Sequence, residues 1–326
     1  MASDLRGGTG AGQRIATYSS VSHQGSFANF ALEADRSARK AFTTKLAKRL
    51  AKTAKGVHSQ NTGGRLMNQA ALITGASGGI GYEFAKLFAQ DHSNLVLVAR
   101  SGSKLAQIAY ELQRQFGISA KSVALDLASP IAPQFLFDQL QREGILVDIL
   151  VNNAGYGRFG EFAEIPLEES LGQIQLNVLA LTALTKLFLG PMLERRSGKI
   201  MNVASTAGFQ PGPMMAVYYA TKAYVISFSE ALANEVKEKG VTVTCLCPGA
   251  TDTGFQGRAG TEQTVLFRKM RPMDAGTVAR DGYRGLMAGK ILVISGLRNR
   301  LLAESIRLAP RKLVTAISRK ILDKAG

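Results

Sequence analysis

Residues 70–81 read AALITGASGGIG, an apolar run of strand length that ends in a turn with three spaced glycines, Gly75, Gly79 and Gly81. Beyond the turn, apolar residues recur at positions 80, 84, 87 and 88, which is the spacing of one helix face. The stretch therefore predicts a strand, a tight turn and a helix. Glycines in such a turn let the backbone approach a pyrophosphate, which binds at the positive end of the helix dipole. The pattern indicates a dinucleotide site, although a generic strand–helix corner can carry the same glycines.

The rest of the chain body repeats this alternation of apolar runs and helical patterns. The short apolar runs occupy residues 70–74, 95–99, 123–127, 149–152, 200–203, 241–247 and 291–294. Most of them are continuous, which is typical of parallel strands covered on both faces. The sequence predicts an α/β fold: a doubly wound, Rossmann-type parallel sheet of seven strands flanked by helices. Polar residues such as Gln173 and Lys186 interrupt the apolar stretch 171–193, so we expect a buried or interfacial helix there.

The net charge of +16 is concentrated at the two ends of the chain. Residues 1–66 carry a net charge of +8 and residues 284–326 another +8, so residues 67–283 are neutral overall. A neutral body disfavours a nucleic-acid-binding face, and we predict no nucleic-acid partner. We expect residues 1–66 to form a basic, largely disordered extension, for which a targeting segment, a leader and a misassigned start all remain open.

The end of the second predicted strand indicates which dinucleotide binds. A carboxylate at this position usually bonds the ribose 2′-hydroxyl and would repel a 2′-phosphate. Here the strand ends in Val98-Ala99-Arg100-Ser101, without a carboxylate. We expect Arg100 and the Ser101 hydroxyl to receive the phosphate of NADP(H), with a plain surface arginine as the alternative. No metal site is predicted, because the three histidines are scattered and Cys245 and Cys247 lack further ligands.

Tyr218 and Lys222 are four residues apart, which places them on one face of a helix. A tyrosine pKa of about 10 is too high for easy proton exchange near neutrality. A neighbouring ammonium favours the phenolate, so we expect Lys222 to lower the pKa of Tyr218. Tyr218 could then protonate a carbonyl oxygen during hydride transfer, or remove the proton in the reverse direction. Ser205, thirteen residues before Tyr218, would donate a hydrogen bond to the same oxygen.

Five elements follow one another in an order that resembles the short-chain dehydrogenase/reductase family over residues 67–295. They are Thr74-Gly75-x-x-x-Gly79-x-Gly81, Asn152-Asn153-Ala154-Gly155, Ser205, Tyr218-x-x-x-Lys222 and Pro248-Gly249. The resemblance implies that Asn177 completes a catalytic tetrad with Ser205, Tyr218 and Lys222. It also implies that Lys222 bonds the nicotinamide ribose, and that the family's dimers or tetramers form through the helices bearing Asn177 and Tyr218.

The resemblance further assigns the adenine side to Asp126, Asn152 and Gly155, and the carboxamide to backbone near Thr251. The family more often carries Val or Ile at the position of Thr251, a departure that backbone contacts should survive. The complete set of predicted cofactor-binding residues is Gly75, Ser77, Gly79, Ile80, Gly81, Arg100, Asp126, Leu127, Asn152, Ala154, Gly155, Lys222, Pro248, Gly249, Thr251 and Thr253.

The sequence thus predicts a cytoplasmic, NADP(H)-dependent oxidoreductase that interconverts a ketone and a secondary alcohol, with residues 67–296 as its catalytic domain. A catalytically idle NADP(H)-binding sensor or membrane-tethered scaffold is the alternative, but binding alone does not need Ser205, Tyr218 and Lys222. A sugar epimerase on a similar fold would need a larger C-terminal substrate domain than the residues after Pro248-Gly249 provide.

Apolar residues after the later strands suggest a lipophilic substrate. The candidate pocket residues are Phe159, Phe209, Met214, Met215 and Phe255, which are also ordinary core residues. The basic residues Arg258, Arg268, Lys269 and Arg271 are interpreted as a solvated loop, with an acidic carrier protein as the alternative partner. Residues 297–326 are predicted to form a basic, amphipathic helical tail, which could lie on an anionic membrane or pack on the body or on a second subunit.

Overall fold

The computed structural model describes residues 69–261, 264 and 272–323. Seven strands form one parallel sheet in the order β3-β2-β1-β4-β5-β6-β9. They span Gln69–Thr74 (β1), Asn94–Ala99 (β2), Ala120–Ala124 (β3), Leu146–Asn152 (β4), Gly198–Val203 (β5), Val241–Cys247 (β6) and Leu292–Ile294 (β9). A separate parallel pair is formed by two strands of two residues each, Thr251–Asp252 (β7) and Met273–Asp274 (β8).

Helices connect the strands and cover both faces of the sheet. They span Gly79–Gln90 (α1), Gly102–Phe116 (α2), Ala132–Arg142 (α3), Leu167–Ile174 (α4), Leu181–Glu194 (α5), Ala216–Val236 (α6), Phe255–Ala259 (α7), Ala275–Met287 (α8), Leu297–Ser305 (α9) and Arg311–Leu322 (α10). A π-helical segment, Gln175–Ala180, joins α4 to α5 into one long helix. The prediction of a doubly wound, seven-stranded parallel sheet is confirmed.

Burial on both faces explains why the strands carry continuous apolar runs. Leu72 and Val98 face a core that includes Leu184 and Phe188 of α5. Ala71 and Ile73 face α1 on the opposite side of the sheet. At about 25 cal/mol per Å² of apolar surface removed from water, these two layers provide the main drive for folding. Successive side chains of a strand alternate between the faces, so an apolar run supplies both cores at once.

The predicted third strand, residues 123–127, is displaced by three residues from β3. β3 lies at the edge of the sheet, and Val123 is its one buried residue. An edge strand covered on one side does not need a continuous apolar run. The apolar run at residues 123–127 therefore overlapped only the end of β3 and extended into the loop that follows it. Leu127, which the pattern included in the strand, is buried in the following loop.

The long apolar helix from α4 to α5 packs as one layer on the sheet. Its inner side chains Leu184, Phe188 and Met192 are buried in the core. Among the described residues, Leu167–Glu194 is the one helix long and apolar enough to span a membrane by composition alone. Its packing agrees with the expectation of a buried or interfacial helix. The prediction for residues 1–66 lies outside the described residues.

The strand order reverses direction between β1 and β4, the two neighbours at the centre of the sheet. Connections from these strands depart to opposite faces, which leaves a crevice beyond their carboxyl ends. Ligands of open α/β sheets bind at such a switch point. The glycine turn after β1 and the Asn152-Asn153-Ala154-Gly155 stretch after β4 both lie at this crevice.

Candidate active site

The glycine turn is held against the end of β4 by side chains of Thr74 and Asn153. Thr74 Oγ1 donates to Val151 O (3.2 Å) and accepts hydrogen bonds from the backbone nitrogens of Asn153 and Ala154 (2.9 Å each). Asn153 Nδ2 donates to Thr74 O (2.9 Å) and Gly75 O (3.3 Å). These bonds fix the backbone of the turn at the N-terminus of α1, where free N–H groups and the helix dipole favour an anion.

Two of the glycines are required by backbone geometry and a third by close packing. Gly75 and Gly79 have φ angles of +67° and +53°, in the left-handed region that favours glycine. A Cβ on Gly81 would overlap the carbonyl oxygen of Gly75 and the side-chain nitrogen of Asn153. The turn therefore presents bare backbone to the crevice.

A groove of about 490 Å³ runs along this turn. Ten predicted cofactor residues line it: Gly75, Ser77, Gly79, Ile80, Arg100, Asp126, Leu127, Ala154, Gly155 and Thr253. Gly81 lies behind the turn as a packing position. Lys222, Pro248, Gly249 and Thr251 lie outside the groove, and the last three line a second cavity.

Asn152 does not face the groove, which corrects its predicted place beside the adenine ribose. Its Nδ2 atom donates to Thr185 Oγ1 (3.0 Å) and Asn202 Oδ1 (2.9 Å), and the side chain is buried. Because neighbouring residues of an extended chain point in opposite directions, Asn152 enters the core while Asn153 reaches the glycine turn. The Asn-Asn pair thus divides into one core residue and one groove residue.

One end of the groove is rich in cations, and the Asp126 carboxylate lies close to one of them, Arg258. Arg100, Ser101 and Lys104 line it from the end of β2 and the start of α2, and Arg258 lines it from α7. The Arg258 guanidinium lies 4.8 Å from the centre of the Tyr156 ring. Partial burial lowers the pKa of Arg258, and the positive charge of Arg100 lowers it further. Arg258 therefore lines the groove from a helix rather than from the predicted loop, although its side chain is exposed to solvent as that interpretation expected. Arg268, Lys269 and Arg271 lie outside the described residues.

A second cavity of about 630 Å³ adjoins the groove and shares Thr253 and Phe255 with it. Ser205 and Tyr218 line this cavity at the end nearest the sheet, together with Pro248. Its other walls are mostly apolar. They include Met215 just before α6, Leu302 and Ala303 of α9, Ile306 between α9 and α10, and Val314, Ile317 and Ile321 of α10.

The predicted apolar pocket residues divide between this cavity and the core. Met215 and Phe255 line the cavity. Phe159 packs behind it, against a cluster that contains Met215 and Leu322. Phe209 packs in another core cluster, and Met214 has a φ of +69° with its carbonyl oxygen accepting from Gly160 N (2.9 Å).

Tyr218 and Lys222 lie one turn apart on α6, as predicted from their spacing. Burial raises the pKa of Tyr218 to about 12, and a hydrogen bond with Ser205 partly offsets that rise. The expected net lowering of the Tyr218 pKa by Lys222 is therefore wrong for the protein on its own. The Lys222 ammonium lies 5.7 Å from the centre of the Tyr218 ring and donates to Val203 O (2.8 Å). Burial lowers the pKa of Lys222 itself to about 8.

Asn177 lies in the π-helical segment and joins the loop after β4 to α6. Its Oδ1 accepts from Tyr156 N (3.1 Å), and its Nδ2 donates to Tyr156 O (2.8 Å) and Thr221 Oγ1 (3.1 Å). A Cβ on Gly155 would lie 3.0 Å from Asn177 Oδ1 and 3.5 Å from Lys222 Nζ. Asn177, Gly155 and Lys222 therefore meet at one point, and π-helical segments of this kind are frequent at functional sites.

Three groups at the site were not predicted from the sequence: the Thr74–Asn153 clamp, the cations Lys104 and Arg258, and the cavity wall from α9 and α10. Lys104 stands in the same first helical turn as Ser101, so its basic charge was a usable signal. Arg258 and the C-terminal helices are remote from the glycine turn in sequence, and only the packing of the chain brings them to it.

Comparison with known proteins agrees with this arrangement. A profile of the short chain dehydrogenase family matches residues 69–264. The very-long-chain 3-oxoacyl-CoA reductase of Anas platyrhynchos is 35% identical over 184 residues, which cover 55% of this chain and 58% of that protein. The corresponding human protein is 33% identical over 199 residues, covering 59% and 62%. The chain thus spans about 60% of the length of these relatives.

Two bacterial proteins match a larger share of their own length. The 3-oxoacyl-[acyl-carrier-protein] reductase FabG of Chlamydia trachomatis is 33% identical over 190 residues, covering 58% of this chain and 77% of that protein. A short-chain dehydrogenase from Sphingobium yanoikuyae, solved in complex with NADPH, is 31% identical with a TM-score of 0.68, covering 75% of this chain and 94% of that one. The family profile, the sheet and the ordered motifs agree: the chain belongs to the short-chain dehydrogenase family.

Proposed function

We propose that the protein is an oxidoreductase that uses NADP(H) to interconvert a lipophilic ketone and its secondary alcohol, with Tyr218 as the general acid and base. The observation that carries the proposal is the junction of the two cavities. The groove at the glycine turn meets the apolar cavity at Thr253 and Phe255, and Ser205 and Tyr218 line the apolar cavity. A dinucleotide in the groove and a carbonyl compound in the cavity would therefore meet beside the phenol.

The residues of the groove fit a dinucleotide. The turn at Gly75 and Gly79 presents bare backbone, and the N-terminus of α1 supplies N–H groups for a pyrophosphate. When bound, the nicotinamide supplies or accepts the hydride. Asp126 and Leu127 line the groove, with Asp126 near Arg258, and are the proposed contacts of the adenine.

The cationic end of the groove supports NADP(H) rather than NAD(H). Arg100 and Arg258 interact electrostatically there, and Ser101 and Lys104 line the same groove. The Asp126 carboxylate also lies near Arg258, so the cations exceed the nearby acid in number. A phosphate dianion would be stabilised by these cations, and arginine pairs with phosphate through two parallel hydrogen bonds. The solved relative from Sphingobium yanoikuyae is described in complex with NADPH, which is in keeping with this choice.

Tyr218 is positioned to exchange a proton with the substrate oxygen. Its pKa of about 12 keeps the phenol protonated at neutral pH, so the free site is prepared for carbonyl reduction. As the carbonyl carbon accepts hydride, the Tyr218 hydroxyl gives its proton to the oxygen, and the products are an alcohol and a phenolate. Ser205 donates a hydrogen bond to the same oxygen and polarises the carbonyl.

Lys222 and Asn177 support the phenol from behind. A protonated Lys222 stabilises the phenolate left after proton transfer, since opposite charges favour the ionised form. Asn177 fixes the backbone of Tyr156 and contacts Thr221, one residue before Lys222. Asn177 is therefore proposed as a positioning residue that keeps the loop after β4 in register with α6.

The substrate class follows from the apolar wall and from the relatives. The cavity of about 630 Å³ has room for a large apolar group, and the side chains from α9 and α10 that line it are mostly aliphatic. Several relatives are named 3-oxoacyl reductases, which supports a 3-oxoacyl thioester as the first substrate to try.

Exposed apolar side chains on α4, the π-helical segment and α6, among them Leu171, Leu179 and Tyr224, support a homodimer or homotetramer through these helices.

The decisive experiment is a screen of NADPH oxidation over 3-oxoacyl thioesters, ketosteroids and small ketones. We expect Tyr218→Phe to lower kcat by about 10²- to 10⁴-fold while NADPH still binds. Tyr224→Phe, on the same helix but with its hydroxyl 2.9 Å from Thr182 Oγ1, is the matched control and should keep its activity. Binding of NADPH without turnover of any carbonyl compound would instead support an idle cofactor-binding protein, and a higher kcat/KM with NADH would reject the cofactor assignment.

A further inference from the structure

The two C-terminal helices form the outer wall of the apolar cavity. Ala303 of α9 and Val314 and Ser318 of α10 are buried, and all three line the cavity. Leu322, at the end of α10, is fully buried beside Met215. Arg319 of α10 lies 3.8 Å from Glu161 of the loop after β4. The amphipathic segment predicted from the sequence therefore packs with its inner face on the body of the protein.

The cavity reaches the protein surface at this wall. Leu302 and Ile317 both line the cavity, yet they are 49% and 48% exposed to solvent. Leu297, at the start of α9, lines the cavity and is 75% exposed. A side chain that is at once cavity lining and outer surface marks an opening. The opening is framed by aliphatic side chains, which suit the entry of an apolar molecule.

The outer side of the same two helices is apolar and cationic together. Leu301, Leu308 and Leu313 are 60%, 90% and 53% exposed. The exposed basic residues around them are Arg298, Arg300, Arg311, Lys312, Arg319 and Lys320, of which Arg300 pairs with Glu304 and Arg319 with Asp323. Residues 297–326 contain eight Lys or Arg and two Asp or Glu, a net charge of +6. We call the exposed leucines and these basic residues the docking face.

We propose that the docking face binds the surface of an anionic lipid bilayer, and that the lipophilic substrate enters the cavity from the bilayer between α9 and α10. Leucines inserted among the headgroups and cations held near lipid phosphates are the two contributions that bind an amphipathic helix to a membrane. A second copy of the chain fits the face less well, because the same positive charges would meet across a two-fold interface. The delivery step depends on the proposed function, whereas the binding step does not.

Binding is tested by co-sedimentation of the full-length protein with vesicles of phosphatidylcholine, with and without phosphatidylglycerol. We expect pelleting with the anionic vesicles, reduced by high salt because the electrostatic contribution is screened. The double variant Leu301→Ser/Leu308→Ser removes apolar surface without changing charge and should lower the partition coefficient at least tenfold. The matched control is Ile131→Ser/Phe135→Ser, since these residues are 75% and 51% exposed at the start of α3 and should leave pelleting unchanged.

Three results would overturn the binding step. The first is that the wild-type protein does not pellet with anionic vesicles. The second is that the wild-type protein and the leucine double variant pellet equally. The third is that the leucine double variant changes from an oligomer to a monomer and still pellets like the wild-type protein. The last result would assign the face to a second copy of the chain. Because residues 1–66 carry a net charge of +8 as well, every comparison uses full-length variants.

Delivery is tested by measuring NADPH oxidation with two ketones, one dissolved in vesicles and one soluble in water. We expect the leucine double variant to lose at least fivefold in rate with the vesicle-borne ketone and to keep its rate with the soluble ketone. Equal rates for the variant and the wild-type protein with both ketones would reject delivery through the docking face. Vesicle binding without turnover of either ketone would leave the docking face standing and reject the proposed function instead.

Discussion

Replacing Lys222 by methionine should change how the stability of the protein depends on pH. Lys222 is 5% exposed, and burial lowers its pKa from 10.5 to about 8. Between these two pH values the unfolded chain holds the lysine proton more tightly than the folded protein does. The free energy of unfolding therefore rises with pH across this window. Below pH 8 the lysine is charged in both states, and the cost of burying the ammonium is fully present.

The magnitude follows from the size of the shift. The folded and unfolded pKa values differ by 10.5 − 8, or 2.5, and each pKa unit corresponds to about 1.4 kcal/mol, which gives a total of about 3 kcal/mol. Between pH 7 and pH 10 most of this change should be seen, about 2 kcal/mol. Methionine has a similar length and cannot ionise, so Lys222→Met removes the titration and leaves the other ionisable groups common to both proteins.

Urea unfolding of the wild-type protein and Lys222→Met, without cofactor, measures the effect between pH 7 and pH 10. As the pH rises, the free energy of unfolding of the wild-type protein should increase relative to that of the variant. Loss of the hydrogen bond from Nζ to Val203 O lowers the stability of the variant at every pH, so the measured quantity is the change of the difference with pH and not its absolute size. A difference that stays flat across the range, or that moves the other way, would refute a buried lysine with a lowered pKa.

Three further substitutions test other parts of the site. Asn177→Ala leaves the backbone N–H and carbonyl oxygen of Tyr156 without their partner, so we expect a loss of about 2 to 4 kcal/mol in urea unfolding. Gly81→Ala places a Cβ against Gly75 O, and isothermal titration should show the Kd for NADPH rising about tenfold or more. Arg258→Gln removes a cation from the end of the groove proposed to bind the 2′-phosphate, and we expect about a tenfold higher KM for NADPH with the KM for NADH unchanged. An equal rise with both cofactors would remove Arg258 from phosphate recognition.

The sheet was predictable because its cause is local. Strands buried on both faces need continuous apolar runs, and all seven predicted runs overlap the observed strands, with boundaries that differ by at most three residues. β3 departs from the pattern because it is an edge strand with one buried residue. The glycine turn was predictable for the same reason, since a positive φ at Gly75 and Gly79 is a property of those residues in their own turn.

Side-chain direction and remote contacts could not be predicted in this way. Asn152 and Asn153 are chemically identical neighbours, and only the packing of β4 against α5 and β5 sends one into the core and the other to the turn. Arg258 reaches the groove from α7, more than 150 residues after Arg100, so its charge alone could not distinguish a solvated loop from a phosphate contact. Tertiary distance decides such assignments.

The proposed catalytic pair, Tyr218 and Lys222, shows why the spacing of two residues does not determine their pKa values. Four residues on a helix bring Tyr218 and Lys222 to the same face, which the sequence correctly implied. The same burial then disfavours both charged forms, raising the pKa of Tyr218 to about 12 and lowering that of Lys222 to about 8. At neutral pH the pair is thus a neutral phenol beside an ammonium whose pKa lies only about one unit above the pH. Any further positive charge near the phenol would favour the phenolate, and any anion near Lys222 would favour its protonation. The rate of alcohol oxidation should therefore rise with an apparent pKa below about 12. The difference between that apparent pKa and 12 measures the effect of the charges that the bound cofactor brings to the site.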